Sequence, residues 1–171
     1  MHKFVLKVLP AVVIVAGLLG GEAITIAAHA RTQHANLNAE EKEISAYKLT
    51  TDKLNKFEAA VKALNKLYAQ SSGLEATLMK ETGAHNTITD SDKVIAKHPE
   101  VAGAIKGAGF STTREYVVMS YALFLTFSSV KMKKMGYIKQ ISAENAAFVE
   151  QNYDRVNSIM DMLTPKDEDD K

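Results

Sequence analysis

The chain contains no cysteine, so no disulfide braces it and no lipid is attached through a cysteine at a processing site. It has no Asn-Xaa-Ser/Thr glycosylation acceptor and no alternating apolar and polar run long enough to read as a strand. It also lacks a surplus of charge, with 21 basic residues facing 20 acidic ones. Binding to phosphate backbones needs a clear basic excess, so nucleic acid is not an expected partner. Without disulfides, any stable fold must rest on packed apolar side chains.

What is present begins with an export signal. Lys3 and Lys7 give a basic start, Val8 to Leu19 form a short apolar run, and Ala28-His29-Ala30 places small residues where a signal peptidase reads. The apolar run is too short to span a bilayer as a helix, which takes roughly 20 apolar residues. Residues 1–30 are therefore read as a signal peptide, and a periplasmic or secreted location follows. Cleavage there leaves 141 of the 171 residues and removes Lys3, Lys7 and Glu22, so that 19 basic residues balance 19 acidic ones. That length suffices for one domain with a real core.

Three segments follow. Residues 31–43 are polar and aperiodic, with Gln33, Asn36, Asn38 and Glu40-Glu41, and read as a flexible arm. Residues 44–164 carry helical periodicity throughout and read as one helical domain. Residues 165–171, with Asp167 to Asp170 after Pro165, read as an acidic, disordered tail.

Inside the domain, Thr50-Thr51-Asp52 offers a helix start. Leu54, Phe57, Val61, Leu64 and Tyr68 then form one stripe at spacings of three and four, to about Gln70. Leu74 and Leu78 predict a brief helix closed by Gly83. Thr89 with Asp92 resembles a capping box for a two-turn helix that stops before Pro99, and Pro99 opens the next, to about Gly107. Gly103 and Gly107, four apart, predict a close approach of a neighbouring helix. Thr112 with Glu115 opens the longest apolar stretch. From Tyr116 to Val130 no residue is charged, and a helix apolar on every side is one surrounded by protein or lipid. Fifteen such residues, four of them serine or threonine, fall short of a membrane span, so a central core helix over about 112–135 is expected, with Leu123 and Phe124 both buried. Lys131, Lys133 and Lys134 suit its last turn before Gly136. A final helix starts at Ser142 and puts Val149, Asn152, Val156, Ile159 and Leu163 on one face. The fold class expected is all-α, a small bundle or orthogonal helical domain around that central helix.

The residues Leu49-Thr50, His98-Pro99-Glu100-Val101, Ile105, Gly109-Phe110-Ser111 and Arg114-Glu115-Tyr116-Val117 together resemble a group of secreted bacterial all-helical proteins without an assigned function. The resemblance covers roughly residues 44–163. It implies a bacterial envelope origin and carries no catalytic residue across.

Searches for reactive constellations end in structural readings. His34, His85 and His98 lack the four-residue spacing of a helical zinc pair, and no Glu-x-x-His pair occurs. The run Asn86 to Asp92 lacks the glycine and closing glutamate of a calcium loop. Gly109-Phe110-Ser111 lacks the second glycine of a nucleophile elbow, and Gly103, Gly107 and Gly109 lack the spacing and lysine of a phosphate loop. No metal, cofactor or catalytic residue is assigned. Arg114 and Glu115, with Tyr116 and Tyr121, form the candidate ligand or ion-pair site, since arginine is scarce here and Arg114 enters the most apolar helix. An aromatic groove drawn from Tyr68, Tyr116, Tyr121, Phe124 and Tyr153 is the candidate for a small molecule or peptide. The expected function is a non-enzymatic binding or interaction protein whose partner is a protein, peptide or small molecule. The alternative is a chaperone-like protein of envelope stress, and an enzyme of unrecognised type comes third. Intact-mass measurement of the envelope protein is expected to give a chain beginning at Arg31; a full-length mass in the membrane fraction contradicts the signal-peptide reading.

Overall fold

The computed structural model describes residues 39–83, 87–131 and 142–163. Within them the chain forms eight helices and no strand, the all-α fold expected. The helices are α1 (39–46), α2 (Thr51–Gln70), α3 (Leu74–Gly83), α4 (Ile88–Ala96), α5 (Pro99–Gly107), α6 (Thr113–Lys131), α7 (Ala143–Gln151) and α8 (Tyr153–Met162). The signal segment 1–30, residues 31–38, the segment holding Lys133, Lys134 and Gly136, and the acidic tail lie outside the described residues. No described helix is long and apolar enough to cross a membrane.

Local chemistry starts most helices where the sequence predicts. Thr50 holds an extended backbone, and its hydroxyl accepts the free N–H of Lys53. Thr112 Oγ1 does the same for Glu115 N at 3.0 Å, and Ser142 Oγ for Asn145 N at 3.0 Å. Pro99 sits in the first turn of α5, where its missing N–H costs nothing. Gly109 takes a φ of +100°, and a Cβ there would meet the Lys56 side chain at 3.4 Å.

α6 lies at the centre, packed against α2, α4, α5 and α7. Val117, Met119 and Leu123 are fully buried. Its buried hydroxyls do not spoil this core. Ser120 Oγ donates to Tyr116 O at 2.8 Å and Thr126 Oγ1 to Ala122 O at 2.6 Å, so each finds its partner within its own helix. Tyr116 is held between two rings, stacked with Phe57 and edge-on to Phe110, each at 5.5 Å between centroids.

Five details differ from the sequence expectations. Residues 39–43, expected in a flexible arm, belong to α1, and Glu40 is buried because it caps another helix. The α4 cap is Thr87, not Thr89: Thr87 Oγ1 accepts from Asp90 N at 3.0 Å, which leaves Ile88 buried. Gly103 and Gly107 face open space, and a Cβ at either would meet nothing within 4 Å, so no helix approaches them closely. The last helix is broken at Asn152, whose Nδ2 donates to Phe148 O at 2.8 Å and closes α7. Phe124 is only half-buried and stands outside the core.

Long-range polar ties fix the helices relative to one another. The buried Asn145 side chain accepts from Leu49 N at 2.9 Å and donates to Tyr47 O at 2.8 Å, which binds the α1–α2 connection to α7. Arg155 Nε and Nη2 both reach Glu58 Oε2, at 2.9 and 2.6 Å, and Nη2 reaches Asn55, joining α8 to α2. In urea unfolding followed by circular dichroism, Leu123→Ala is expected to cost about 2–5 kcal/mol and Phe124→Ala distinctly less. Lys62→Ala, which removes only an exposed i,i+4 pair with Glu58, is expected to cost under about 1 kcal/mol. Equal costs for Leu123→Ala and Lys62→Ala contradict the central placement of α6.

Candidate functional site

Two places gather polar side chains with apolar surroundings. The first lies where α1 crosses the start of α4 and the start of α6. The free N–H groups at the start of α4 point at Glu40: its Oε2 accepts from Ile88 N at 3.0 Å, and its Oε1 from Thr89 N at 2.9 Å and Thr89 Oγ1 at 2.7 Å. A carboxylate there satisfies orphan donors and complements the helix dipole. One turn on, Glu43 takes both arms of Arg114, Nε at 3.1 Å and Nη2 at 2.5 Å, while Nη1 reaches Thr89 Oγ1 at 3.2 Å. The Glu43 hydrogen bonds, opposed in part by burial, raise the Arg114 pKa further above its already high value. Thr113 Oγ1 meanwhile donates to Asp92.

Arg114 is thus an internal ion-pair residue whose fork is filled by Glu43 and Thr89. Glu115 is not its partner, because adjacent residues on a helix point apart. Glu115 instead accepts from Ser111 N at 3.1 Å, the residue before the Thr112 cap, so the reciprocal bond of the expected capping box is displaced by one residue. It also lies close enough to the buried Tyr47 hydroxyl to add to the upward pKa shift that burial gives that phenol.

The second place is a cavity where α2 to α6 converge. Phe57, Val61 and Leu64 of α2 form one wall, and Val101 and Ile105 of α5 another. Leu78 and Thr82 of α3, Ser91 and Ile95 of α4, Tyr116 and Ser120 of α6, and Leu163 complete it, with Asn65 and Tyr68. Asn65 and Tyr68 are the half-exposed residues of this lining and mark the end that reaches solvent. The empty space is about 620 Å³ counted out to the solvent at its mouth, and the part open to the centre of a water molecule is about 40 Å³.

The polar atoms around this slot are mostly committed. Thr82 Oγ1 donates to Leu78 O at 2.6 Å, Ser120 Oγ to Tyr116 O, and Asn65 Nδ2 to Met162 O at 2.9 Å. Burial pushes the Tyr116 phenol up to about 12, offset in part by the neighbouring Ser120 hydroxyl, and burial likewise raises Tyr68. Both stay neutral at physiological pH. Ser91 differs: its hydroxyl has no well-formed hydrogen bond, although the residue is only 1% exposed. The Tyr121 hydroxyl is also buried without a well-aligned partner. Ser91 is near enough to moderate the rise that burial gives the Tyr121 phenol, to about 12, but the two oxygens do not meet in good geometry.

Of the aromatic residues expected in a groove, Tyr68 and Tyr116 line the cavity. Tyr121, Phe124 and Tyr153 do not, and Tyr153 packs on Phe127 at 5.5 Å. Ser91 is not legible as a site residue in the sequence, because it stands in a run of hydroxyls and acids that helix capping explains. Of the histidines, His34 and His85 lie outside the described residues. His98 meets Glu81 at 3.3 Å and Glu100 at 3.7 Å rather than a backbone group. Among the described residues no three His, Cys, Asp or Glu side chains are placed to hold a metal ion.

No protein-family model, curated protein or solved structure matches the chain.

The two sites predict opposite responses to truncation. Glu40→Ala strips the start of α4 of its acceptor and is expected to cost about 1–3 kcal/mol in denaturant unfolding. Ser91→Ala removes a hydroxyl that makes no good bond, and is expected to leave stability unchanged or raise it. A marked loss for Ser91→Ala would mean that the Ser91 hydroxyl is bonded in the folded protein.

Proposed function

We propose that this chain is an exported, non-enzymatic binding protein of the bacterial envelope, and that the cavity between α2 and α6 receives a small molecule. The observation that carries this reading is an apolar slot enclosed by α2 to α6, with Asn65 and Tyr68 at the end that reaches solvent. Ligand sites are typically concave and apolar, with few polar groups to fix orientation.

The export part of the proposal rests on the signal layout of residues 1–30 and on the resemblance to secreted helical proteins. The non-enzymatic part rests on the lining, which offers hydroxyls and one amide but no carboxylate, imidazole or amine to move a proton. The chaperone-like alternative has less support, because shielding an unfolded client needs an exposed apolar surface, and most apolar side chains of the described residues turn inward.

Native mass spectrometry of the protein purified from cells provides the test. A noncovalent small-molecule adduct is expected, present under native conditions and absent after denaturation. An adduct-free protein whose melting temperature is also unmoved by an extract of the same cells' small molecules overturns the reading.

A further inference from the structure

The cavity is apolar within, and its uncommitted polar groups stand at the mouth. No acidic or basic side chain lines it. Thr82 and Ser120 donate to carbonyls of their own helices, and the Ser91 hydroxyl is enclosed beside that of Tyr121. The room open to the centre of a water molecule, about 40 Å³, is a few times what one water needs and well short of the roughly 150 Å³ that receives benzene. A ligand of benzene's size or more therefore keeps part of itself at the mouth, where protein groups select its polar end.

Three groups around that mouth present oxygen. Asn65 gives its Nδ2 to Met162 O at 2.9 Å, which leaves Oδ1 to accept. The Tyr68 hydroxyl makes no hydrogen bond with the described residues. Burial, and then Tyr116 and Glu75, hold its phenol above the ordinary range, so it stays neutral and can accept as well as donate. Glu75 is the third group. It lies outside the lining, half-buried on α3, three residues before Leu78 and seven before Thr82, on the face that forms the cavity wall. Its place in the first turn suits the dipole of α3. Among the described residues, however, no donor hydrogen-bonds its carboxylate and no lysine or arginine pairs with it. Glu43, Glu58 and Glu81, half-buried as well, each hold an arginine or a histidine.

We infer that the cavity takes a small organic amine, its ammonium at the mouth donating to Asn65 Oδ1, the Tyr68 oxygen and the Glu75 carboxylate, and its apolar part against Val61, Leu78 and Ile105. The inference rests on the reading of the cavity as a ligand site and names the ligand class. A primary ammonium has three donors and no acceptor, which matches three oxygens. A carboxylate or phosphate head brings only acceptors and sets a like charge beside Glu75.

Methyl-detected NMR of the purified protein near neutral pH, titrated separately with pentylamine, 1-pentanol and pentanoate, tests this. The three share one apolar body and differ in the head. Saturable shifts of the Leu78 and Ile105 methyls are expected with pentylamine, at a Kd at least about fivefold below that of 1-pentanol, with pentanoate the weakest. Glu75→Gln keeps the shape and removes the charge. It is expected to bring pentylamine level with 1-pentanol while leaving the 1-pentanol affinity and the unfolding midpoint unchanged. Glu144→Gln makes the same change in net charge on α7, away from the cavity, and is expected to alter neither affinity. Equal affinities for amine and alcohol in the unsubstituted protein, or an equal loss in Glu144→Gln, overturn the ammonium site. If pentylamine leaves the cavity methyls unmoved and native mass spectrometry finds a neutral or acidic cellular adduct, the amine class falls and the binding function stands. If no ligand of any kind is observed, both fall.

Discussion

Everything in this fold depends on hiding one helix. From Tyr116 to Val130 the chain carries no charge, so α6 is stable only where other helices cover it. No single neighbour suffices; α2, α4, α5 and α7 each cover part of its surface. Burial on several sides puts the backbone carbonyls of α6 beyond water, which is why Ser120 and Thr126 are tolerated at its core. Each hydroxyl turns back to the carbonyl four residues earlier and brings no unmet polar demand into the interior. Shortness and hydroxyls, which argue against a membrane span in the sequence, thus have their structural counterpart in a helix covered by protein.

Packing against α6 is non-directional and would tolerate sliding of the surrounding helices. Specific polar ties remove that freedom. They link residues far apart in the chain: Glu40 to the start of α4, Glu43 to Arg114, Glu58 to Arg155, and Asn145 to the α1–α2 connection. Each binds a backbone group or a planar guanidinium, whose geometry admits little displacement. Two of the chain's three arginines serve in this way, which gives a physical reason for arginine at those points in a chain whose cations are mostly lysine.

Local rules make much of this legible. A threonine or serine ahead of an apolar stripe, Pro99 at a helix start and the uncharged run each predict a feature from neighbouring residues alone, and each feature stands where expected. The sequence misleads where a distant residue decides. α1 is short and polar, and nothing in its own sequence shows that Glu40 will meet the α4 N–H groups, 48 residues on. Thr87 and Thr89 both stand three residues before an aspartate, and only the burial of Ile88 with the capture of Thr89 by Glu40 selects the first. The break at Asn152 keeps Val149 and Val156 both buried, so the apolar pattern passes through it unmarked. The cavity is legible only in its tyrosines at 68 and 116, since a void belongs to several helices at once.

The cavity wall follows the same polar logic. Three buried or half-buried lining groups, on α2, α3 and α6, follow one rule: a proton beside the cavity is given to a backbone carbonyl. Ser91 has the same recourse in principle, as a helical serine four residues after Thr87, and does not take it. Its oxygen is instead enclosed beside the Tyr121 hydroxyl, and the Tyr47 hydroxyl, away from the cavity, is a third buried group without a well-formed bond. What faces a partner arriving from solvent past Asn65 and Tyr68 is therefore mainly apolar side chain, and that open apolar slot directs the functional reading to the cavity rather than to the filled ion pair at Arg114.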